Sequence, residues 1–282
     1  MLACPSCHIP IKGVVTGSAF LPQSFTCEKC KCEIFIKPGV LGEKRLFDLE
    51  QASDFTNNRK SKLKNFNKLY FWIVTWVSPV YPQVYFDLKR KKLKQLAQGS
   101  SKRVNLGSGA FSIDSKCVDI DIHEYPNVDF VAEGHRLPFT EASIDGIYNI
   151  AVLEHVLDPK LVVNEMHRVL KVNGFVYCFV PFMQGFHASP HDYQRYTEQG
   201  LIHLFSSFSN VEISSSGSTG SLLWIIQEWI ASIFSFGNKR VHFMLVTFIM
   251  IATFPLKYFD FILKRNSLSA NIASGYIILA RK

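Results

Sequence analysis

The chain has 282 residues, of which 48% are apolar and 19% are charged. That is enough apolar sequence for a sizeable core, and it excludes disordered, collagen-like and coiled-coil proteins. At about 150 residues per domain, the length allows one large domain and a small one. Seven cysteines, four of them in two Cys-x-x-Cys pairs, favour a metal site over a secreted disulfide scaffold. Cys4 and Cys7 stand where a signal peptide needs its basic and apolar regions, so we expect a protein that faces the cytosol.

The first segment of the chain carries the cysteine motif. Cys4-x2-Cys7 and Cys27-x2-Cys30 have the spacing of a four-thiolate zinc ribbon, in which each of two knuckles supplies two ligands. A unit this small has too little core to fold unaided, and bound zinc supplies the missing stability. Cys32 competes with Cys30 for one ligand position, and the two-residue spacing of a knuckle favours Cys30. We therefore predict one structural Zn²⁺ held by these four thiolates.

This cysteine segment also resembles a known small domain. Cys4-Pro-x-Cys7, and Cys27-x2-Cys30 followed by Ile-Phe-Ile-Lys-Pro-Gly, are similar to the zinc ribbon that accompanies certain tRNA and ribosome methyltransferases. The resemblance covers residues 1–45 only.

A basic and aromatic linker with helical spacing follows over residues 46–100. The stretch 59–103 has a net charge of +11, against +8 for the whole chain, and its centre is aromatic. Basic flanks around an aromatic centre are typical of a helix on an anionic membrane surface, which is the interpretation we favour. A nucleic-acid groove with stacking side chains is one alternative, and a solvated linker packed on the next domain is another.

From residue 102 onward, short apolar runs alternate with helical stretches. Strands are predicted at 103–106, 117–122, 128–131, 144–149, 175–180, 211–214 and 275–280, and helices at 161–170 and 201–205. The continuous apolar run at 175–180 is typical of a buried parallel strand. The alternation predicts a doubly wound α/β sheet, with Cys117 and Cys178 as buried strand residues.

Two apolar stretches, 221–236 and 241–256, lie between the last two predicted strands. Each is shorter than the ~20 residues of a spanning helix. The final strand must also return to a sheet already formed on one side of a membrane, which excludes a single crossing. We therefore favour a shallow hairpin or an in-plane helix pair at the membrane. A hydrophobic cap on the sheet is the alternative.

A glycine turn, Gly107-Ser-Gly109, directly follows the first of the predicted α/β strands. Glycines let the backbone approach a ligand that a Cβ atom would meet. Asp121 ends the second strand, where a carboxylate can bind both hydroxyls of a ribose. Asp119 competes with it, and the distance to the strand end favours Asp121. A nicotinamide dehydrogenase is disfavoured, because Ser112 replaces the third glycine of its motif.

Three further motifs complete the pattern: Glu133-Gly-His-Arg-Leu-Pro-Phe139, Asp145-Gly-Ile-Tyr-Asn-Ile-Ala-Val-Leu-Glu-His155 and Glu165-Met-His-Arg-Val-Leu-Lys-x-Asn-Gly174. Together with the glycine turn they resemble the class I S-adenosylmethionine-dependent methyltransferases, in the type 11-like subgroup with Leu-Pro-Phe and Leu-Glu-His motifs. The resemblance spans roughly 102–214 and the last strand. It implies a Rossmann-like seven-stranded sheet and methyl transfer from S-adenosyl-L-methionine.

The resemblance also implies the residues that bind the cofactor. Asp121 matches the ribose carboxylate, and Glu133 matches the acid that faces the adenine amino group. Asn105 stands where the family usually has an acid and can still hydrogen-bond the cofactor's amino group; Phe111 replaces the usual third glycine. The expected cofactor-binding residues are Asn105, Gly107, Ser108, Gly109, Asp121, Ile122, Glu133, Gly134, Asn149 and Ala151.

The loop after the fifth α/β strand is the candidate acceptor site, because ligands of this fold bind at the carboxyl edge of the sheet. Its His-x-x-Pro-x-Asp-Tyr-x-Arg-Tyr-Thr stretch, 187–197, resembles membrane-linked and glycan-cluster members of the family. A base is needed only for hydroxyl-like nucleophiles. The catalytic candidates, with the favoured base first, are His191, His187, His155 and Asp192. Alternatively, Asp192 and Arg195 form a structural pair that caps the helix from Thr197.

The chain is thus predicted to have four parts: a zinc ribbon (1–45), the linker (46–100), a methyltransferase domain (101–220 and 264–282) and a hydrophobic helical insertion (221–263). We expect methyl transfer to an oxygen or nitrogen of a small, lipid-linked or glycan-type acceptor. The expected location is cytoplasmic, peripheral on the inner face of a membrane. The alternatives are an inactive membrane-attached scaffold and an RNA methyltransferase.

Overall fold

A computed structural model of the protein describes residues 3–10, 23–37, 40–43, 99, 102–113, 117–188, 190–263 and 265–282. All of the basic linker predicted at 46–100, except Gly99, lies outside these residues. Its membrane, nucleic-acid and packing interpretations therefore stay predictions.

The described residues form ten strands and five α-helices. The strands are β1 Gln23–Thr26, β2 Glu33–Lys37, β3 Val40–Glu43, β4 Arg103–Leu106, β5 Cys117–Asp121, β6 Phe130–Val131, β7 Ile144–Ile150, β8 Leu170–Pro181, β9 Asn210–Ser216 and β10 Gly275–Arg281. The helices are α1 Pro159–Val169, α2 Glu198–Leu204, α3 Ser218–Phe234, α4 Lys239–Thr253 and α5 Asp260–Leu263. Short 3₁₀ turns occupy Leu153–His155, Phe254–Phe259 and Ser267–Ile272.

All ten strands belong to one sheet with the order β1-β2-β3-β6-β5-β4-β7-β8-β10-β9. Strands β6, β5, β4, β7 and β8 are parallel neighbours, while β10 runs antiparallel between β8 and β9. This confirms the predicted seven-stranded Rossmann-like sheet. The order reverses at β4, which has β5 on one side and β7 on the other, and ligands of open α/β sheets bind at such a switch point.

The N-terminal strands extend this sheet. Strands β1, β2 and β3 form an antiparallel meander, and β3 pairs in parallel with β6 through Leu41 and Phe130. The Ala3 N–H also donates a hydrogen bond of 3.0 Å to the Pro138 carbonyl. The cysteine segment is therefore joined to the larger sheet by main-chain hydrogen bonds.

The connections between β4 and β7 differ from the helical alternation that the sequence suggested. No helix is present there among the described residues. Residues 107–116 are fewer than the dozen or more that a helical crossover takes. Helix α1 comes after β7, and Asp158 caps it by accepting hydrogen bonds from the backbone N–H groups of Lys160 and Leu161. Its inner face, with Val163 and Met166, is buried in the main core.

A hydrophobic helical insertion lies before the last strand, as the sequence predicted. It leaves the sheet after Ser216 and returns at Gly275, and these two residues are paired across β9 and β10. Helices α3 and α4 pack side by side, with a hydrogen bond of 2.8 Å from Gln227 to Thr253. Among the described residues, one helical segment, Lys239–Leu263, is long and apolar enough to cross a membrane, with a mean hydropathy of 1.6. Because both ends of the insertion lie at one point of the sheet, a single crossing is excluded.

Candidate functional site

The glycine turn after β4 is built from two glycines with different surroundings. Gly107 has a φ of +73°, and a Cβ atom added there would lie 2.3 Å from Cγ2 of Val152. Gly109 has a φ of +53°, and a Cβ atom there would meet no atom within 4 Å. Gly107 thus allows the close packing of the turn on the segment after β7, whereas Gly109 borders open space that a ligand can fill.

Of the two aspartates on β5, Asp121 lies beside this turn. Its Oδ2 accepts a hydrogen bond of 2.7 Å from the Gly109 N–H, and its Oδ1 accepts one of 2.9 Å from the His123 N–H. A carboxylate has about four lone-pair positions, so these two hydrogen bonds do not by themselves use its accepting capacity. Asp119 instead accepts hydrogen bonds from side chains of the protein: Asn105, Ser112 and Asn127.

The Asn105 side chain connects the glycine turn to β5 by hydrogen bonds. Its Nδ2 donates to the Phe111 carbonyl at 2.9 Å and to Oδ1 of Asp119 at 2.8 Å, and the side chain is buried. Both amide hydrogens are therefore used inside the protein. The expected contact of Asn105 with the cofactor's amino group is restricted to the amide oxygen, which accepts from an ammonium. Ser108 is buried in the same turn, and its hydroxyl donates to the Gly109 carbonyl at 3.2 Å.

The other expected cofactor residues lie at the ends of β5, β6 and β7. Ile122 is exposed just beyond β5. After β6, Glu133 lies 3.6 Å from His135, and Gly134 packs on α1, where a Cβ atom would contact Val162 at 3.3 Å. Asn149 is fully buried in β7 and donates to the Leu106 carbonyl at 3.5 Å.

Ala151 follows β7 and has a φ of +56°, which costs a residue with a side chain about 1–2 kcal/mol. All ten predicted residues thus lie at or beside the carboxyl ends of β4, β5, β6 and β7. Their contacts with a cofactor stay predictions.

The site coincides with a recognised domain. Residues 93–178 match a family profile described as "Methyltransferase domain". The chain carries a methyltransferase domain. The strand order and the glycine turn are those expected of a class I S-adenosylmethionine-dependent methyltransferase fold.

Several solved structures are similar in fold. A SAM-dependent methyltransferase from Archaeoglobus fulgidus has 12% identity and a TM-score of 0.45, over 76% of this chain and 99% of that chain. The [4+2]-cyclase SpnF has 14% identity and a TM-score of 0.41, over 68% and 80%. Phosphoethanolamine N-methyltransferase 2 from Haemonchus contortus has 13% identity and a TM-score of 0.42; the chain covers 52% of its length, with 68% of its own. No curated protein has a significantly similar sequence. Identities and TM-scores this low do not assign the reactions of these structures to this chain.

Glu154, which the sequence did not indicate as a site residue, lies in the Leu153–His155 turn. Glu154 is completely buried, and neither carboxylate oxygen has a hydrogen-bond partner among the described residues. Nε2 of His187 lies 3.7 Å from Oε1 of Glu154, and Nε2 of His155 lies 3.8 Å from it. The Glu154 carboxylate raises the pKa of His187. The Leu-Glu-His motif contained this signal, because it places an acid beside a histidine directly after a buried strand.

Asp192 is held by the loop itself. It accepts two hydrogen bonds from the Arg195 guanidinium and one of 2.9 Å from the His187 N–H. The guanidinium keeps the pKa of Asp192 well below its usual value. The alternative of a structural Asp192–Arg195 pair is therefore present in the fold. It does not cap α2, however, because the Thr197 hydroxyl does so by accepting from the Gly200 N–H.

His191, the favoured base, is exposed and packs beside Tyr193, with 5.3 Å between the ring centroids. Its imidazole is not part of the Glu154 cluster, although its carbonyl lies in hydrogen-bond contact with Nδ1 of His155. The catalytic roles of His191, His187, His155 and Asp192 stay predictions.

The four predicted metal ligands are brought together. The sulfur atoms of Cys4, Cys7, Cys27 and Cys30 all lie within 4.8 Å of one another. Sγ of Cys4 is 3.5 Å from that of Cys30, and Sγ of Cys7 is 3.6 Å from that of Cys27. Cys32 is not in this group; its carbonyl accepts a hydrogen bond of 2.9 Å from the Cys27 N–H. Four thiolates in such a group suit a tetrahedral zinc ion.

Proposed function

We propose that the protein transfers a methyl group from S-adenosyl-L-methionine to an oxygen or nitrogen of a lipid-linked or glycan-type acceptor at a membrane surface. The observation that carries this proposal is the contact between the acceptor loop and the hydrophobic insertion. A Cβ atom at Gly185 would lie 2.4 Å from Nε1 of Trp224 on α3, and the rings of His187 and Trp224 are 6.1 Å apart. An acceptor held at the insertion is therefore next to the loop.

The surface of the insertion supports a membrane location. No residue of α4 is buried, and Phe243 and Phe248 are 70% and 71% exposed. Contiguous apolar surface of this kind is expected to meet another apolar phase. Because Ser216 and Gly275 are paired, the proposed contact is a hairpin lying on or shallowly in the inner face of the membrane.

The chain's own task in the reaction is positioning. S-adenosylmethionine brings an activated methyl group, so the protein has to align the acceptor with it. Asp121 would bind the ribose hydroxyls, and the open space at Gly109 would receive the cofactor beside it. Asn149 and Ala151 form the end of β7 next to the turn. An open turn with a carboxylate at its rim fits this cofactor.

Zinc has a structural role in this proposal. Cys4, Cys7, Cys27 and Cys30 would fill all four positions of a tetrahedral ion and leave none for water, so the ion would take no part in the chemistry. Its effect on folding would extend to the methyltransferase sheet, because β3 pairs with β6.

Two measurements on the full chain test the proposal. Calorimetry with S-adenosylhomocysteine should show binding; absence of binding would favour the inactive scaffold. Sedimentation with anionic liposomes should show binding that salt weakens without abolishing, because apolar insertion is not screened. A salt-dependent RNA affinity that exceeds liposome binding would favour the RNA methyltransferase.

A matched pair of variants sharpens the liposome test. Phe243→Glu combined with Phe248→Glu should abolish liposome binding and leave cofactor binding unchanged. Val172→Glu alters a side chain that is 75% exposed in β8, away from the insertion, and should change neither. Equal liposome binding by the double variant and the wild type would contradict the membrane role.

A further inference from the structure

The cluster of Glu154, His155 and His187 has the composition and geometry of a metal site. The Glu154 carboxylate and one nitrogen of each imidazole all lie within 4.8 Å of one another. The distances from Oε1 of Glu154 to the two Nε2 atoms are 3.7 and 3.8 Å. Ligand atoms each about 2.0–2.1 Å from a shared ion are separated by distances of this order.

The hydrogen bonds of the two imidazoles fix which nitrogen faces the carboxylate. Nδ1 of His187 lies 2.9 Å from the Gly185 carbonyl and 3.3 Å from Nη2 of Arg195, and Nδ1 of His155 contacts the His191 carbonyl. A carbonyl oxygen only accepts, and the carbonyl contact of His187 is the shorter of its two, so we assign a hydrogen to each Nδ1. In a neutral imidazole, Nε2 then has a free lone pair. Metal-binding histidines are typically oriented by such a bond from the other ring nitrogen.

Three lone-pair atoms thus converge on one point, and repulsion among them needs a cation. Glu154 is fully buried, and both of its oxygens lack a hydrogen-bond partner among the described residues, which is costly for a charged group. Arg195, the cation of the same loop, lies 3.3 Å from Nδ1 of His187 but donates no hydrogen bond to Glu154. Its guanidinium donates to Asp192 and to the carbonyls of Gln184, Gly185 and Gln194. Either a proton on an imidazole or a bound metal ion must balance the carboxylate.

We infer that Glu154, His155 and His187 bind a divalent transition-metal ion of the zinc class, distinct from the ion at the cysteines. Three protein ligands leave at least one position open. Val152, two residues before Glu154, packs against Gly107 of the cofactor turn, so the site adjoins the methyl donor. The open position takes an oxygen of the acceptor; this role rests on the proposed function, whereas metal binding itself does not.

Binding to the metal lowers the pKa of an acceptor hydroxyl, and its proton leaves to water. The oxygen forms a bond to the methyl carbon while the bond from that carbon to the sulfonium sulfur breaks. The products are the methyl ether and neutral S-adenosylhomocysteine.

Cobalt(II) added to the full-length protein that carries one equivalent of zinc, enough for the four thiolates alone, tests the site. Occupancy is followed by calorimetry and by visible absorption. Cobalt bound by nitrogen and oxygen lacks the intense thiolate charge-transfer band that cobalt in the cysteine site would show. One further ion should bind without that band. Glu154→Gln should weaken it at least about tenfold, the lower end of what loss of a supporting partner alone costs a metal site.

A matched control is available on the insertion, where Glu228 lies 3.3 Å from His242. Glu228→Gln removes a carboxylate from a pair that has only one histidine, and it should leave cobalt binding unchanged. If Glu154→Gln fails to fold, His187→Gln replaces it, because that side chain is partly exposed.

Three results would overturn the inference: no cobalt beyond the zinc already present, absorption with the thiolate band alone, or binding that survives both Glu154→Gln and His187→Gln. The carboxylate would then be balanced by a protonated imidazole. S-adenosylhomocysteine binding, measured in the same samples, separates this failure from failure of the proposed function.

Discussion

Substituting alanine for Gly107 is the sharpest test of the cofactor turn. The surroundings of Gly107 and Gly109 differ, so the two alanine variants should differ in stability. In Gly107→Ala the new Cβ atom would lie 2.3 Å from Cγ2 of Val152, well inside contact distance. In Gly109→Ala it would meet nothing within 4 Å. Both residues have positive φ, so the two variants share the backbone cost and differ in the clash.

The magnitudes follow from these geometries. An alanine in the left-handed region costs about 1–2 kcal/mol. Moving Val152 away from its rotamer to relieve the overlap at Gly107 costs about 0.5–1.5 kcal/mol more. Gly107→Ala should therefore lower the free energy of unfolding by about 1.5–3.5 kcal/mol. Gly109→Ala should lower it by about 1–2 kcal/mol, but should lose cofactor affinity because its methyl group fills the space left for the ligand.

Urea unfolding measures the first effect, and calorimetry with S-adenosylhomocysteine measures the second. Val152→Ala removes the overlapping atoms, so Gly107→Ala should cost less in that background by about 0.5–1.5 kcal/mol. If Val152→Ala gives no such relief, the overlap with Val152 is not what destabilises Gly107→Ala. Unchanged cofactor affinity in Gly109→Ala would show that the cofactor does not bind beside Gly109.

Three further predictions concern single side chains. Asp121→Ala should weaken S-adenosylhomocysteine binding by about 1–3 kcal/mol in calorimetry, whereas Asp119→Asn, at a carboxylate bonded to protein side chains, should chiefly lower stability to urea. Metal analysis should find one zinc ion at the cysteines; Cys32→Ser should keep it and Cys30→Ser should lose it, and the reverse result would make the ligand choice wrong. If the acceptor is a hydroxyl, His191→Ala should lower turnover by about 10²–10⁴-fold with unchanged cofactor affinity, and loss of folding instead would show a structural role.

The strands were predictable because their signal is local. Val104 and Leu106 in β4 and the apolar run of β8 are buried, and a continuous apolar run records that burial directly. The cysteine group was predictable for the same reason, since ligand spacing within each knuckle is set by a short turn. Asp121 was placed at the strand end by counting along one strand.

Features that depend on distant partners were not predictable. The pairing of β3 with β6 joins Leu41 to Phe130, and no periodicity in either segment specifies that neighbour. The cluster around Glu154 depends on His187, which a different loop brings to within 3.7 Å. Residues 107–116 were assigned to a fold with helical crossovers, although their number is too small for one.

Ala151 connects the two halves of the site. Its N–H donates to the Phe179 carbonyl at 2.9 Å, which keeps it attached to β8, while its φ of +56° turns the chain out of the sheet. That turn sets Val152 against Gly107 and starts the segment in which Glu154 comes to face His187. A strained residue persists only where its surroundings over-determine it. Here the hydrogen bond of Ala151 to β8 and the packing of Val152 on Gly107 supply that constraint. Ala151 and Val152 therefore link the position of the Glu154 carboxylate to the cofactor turn.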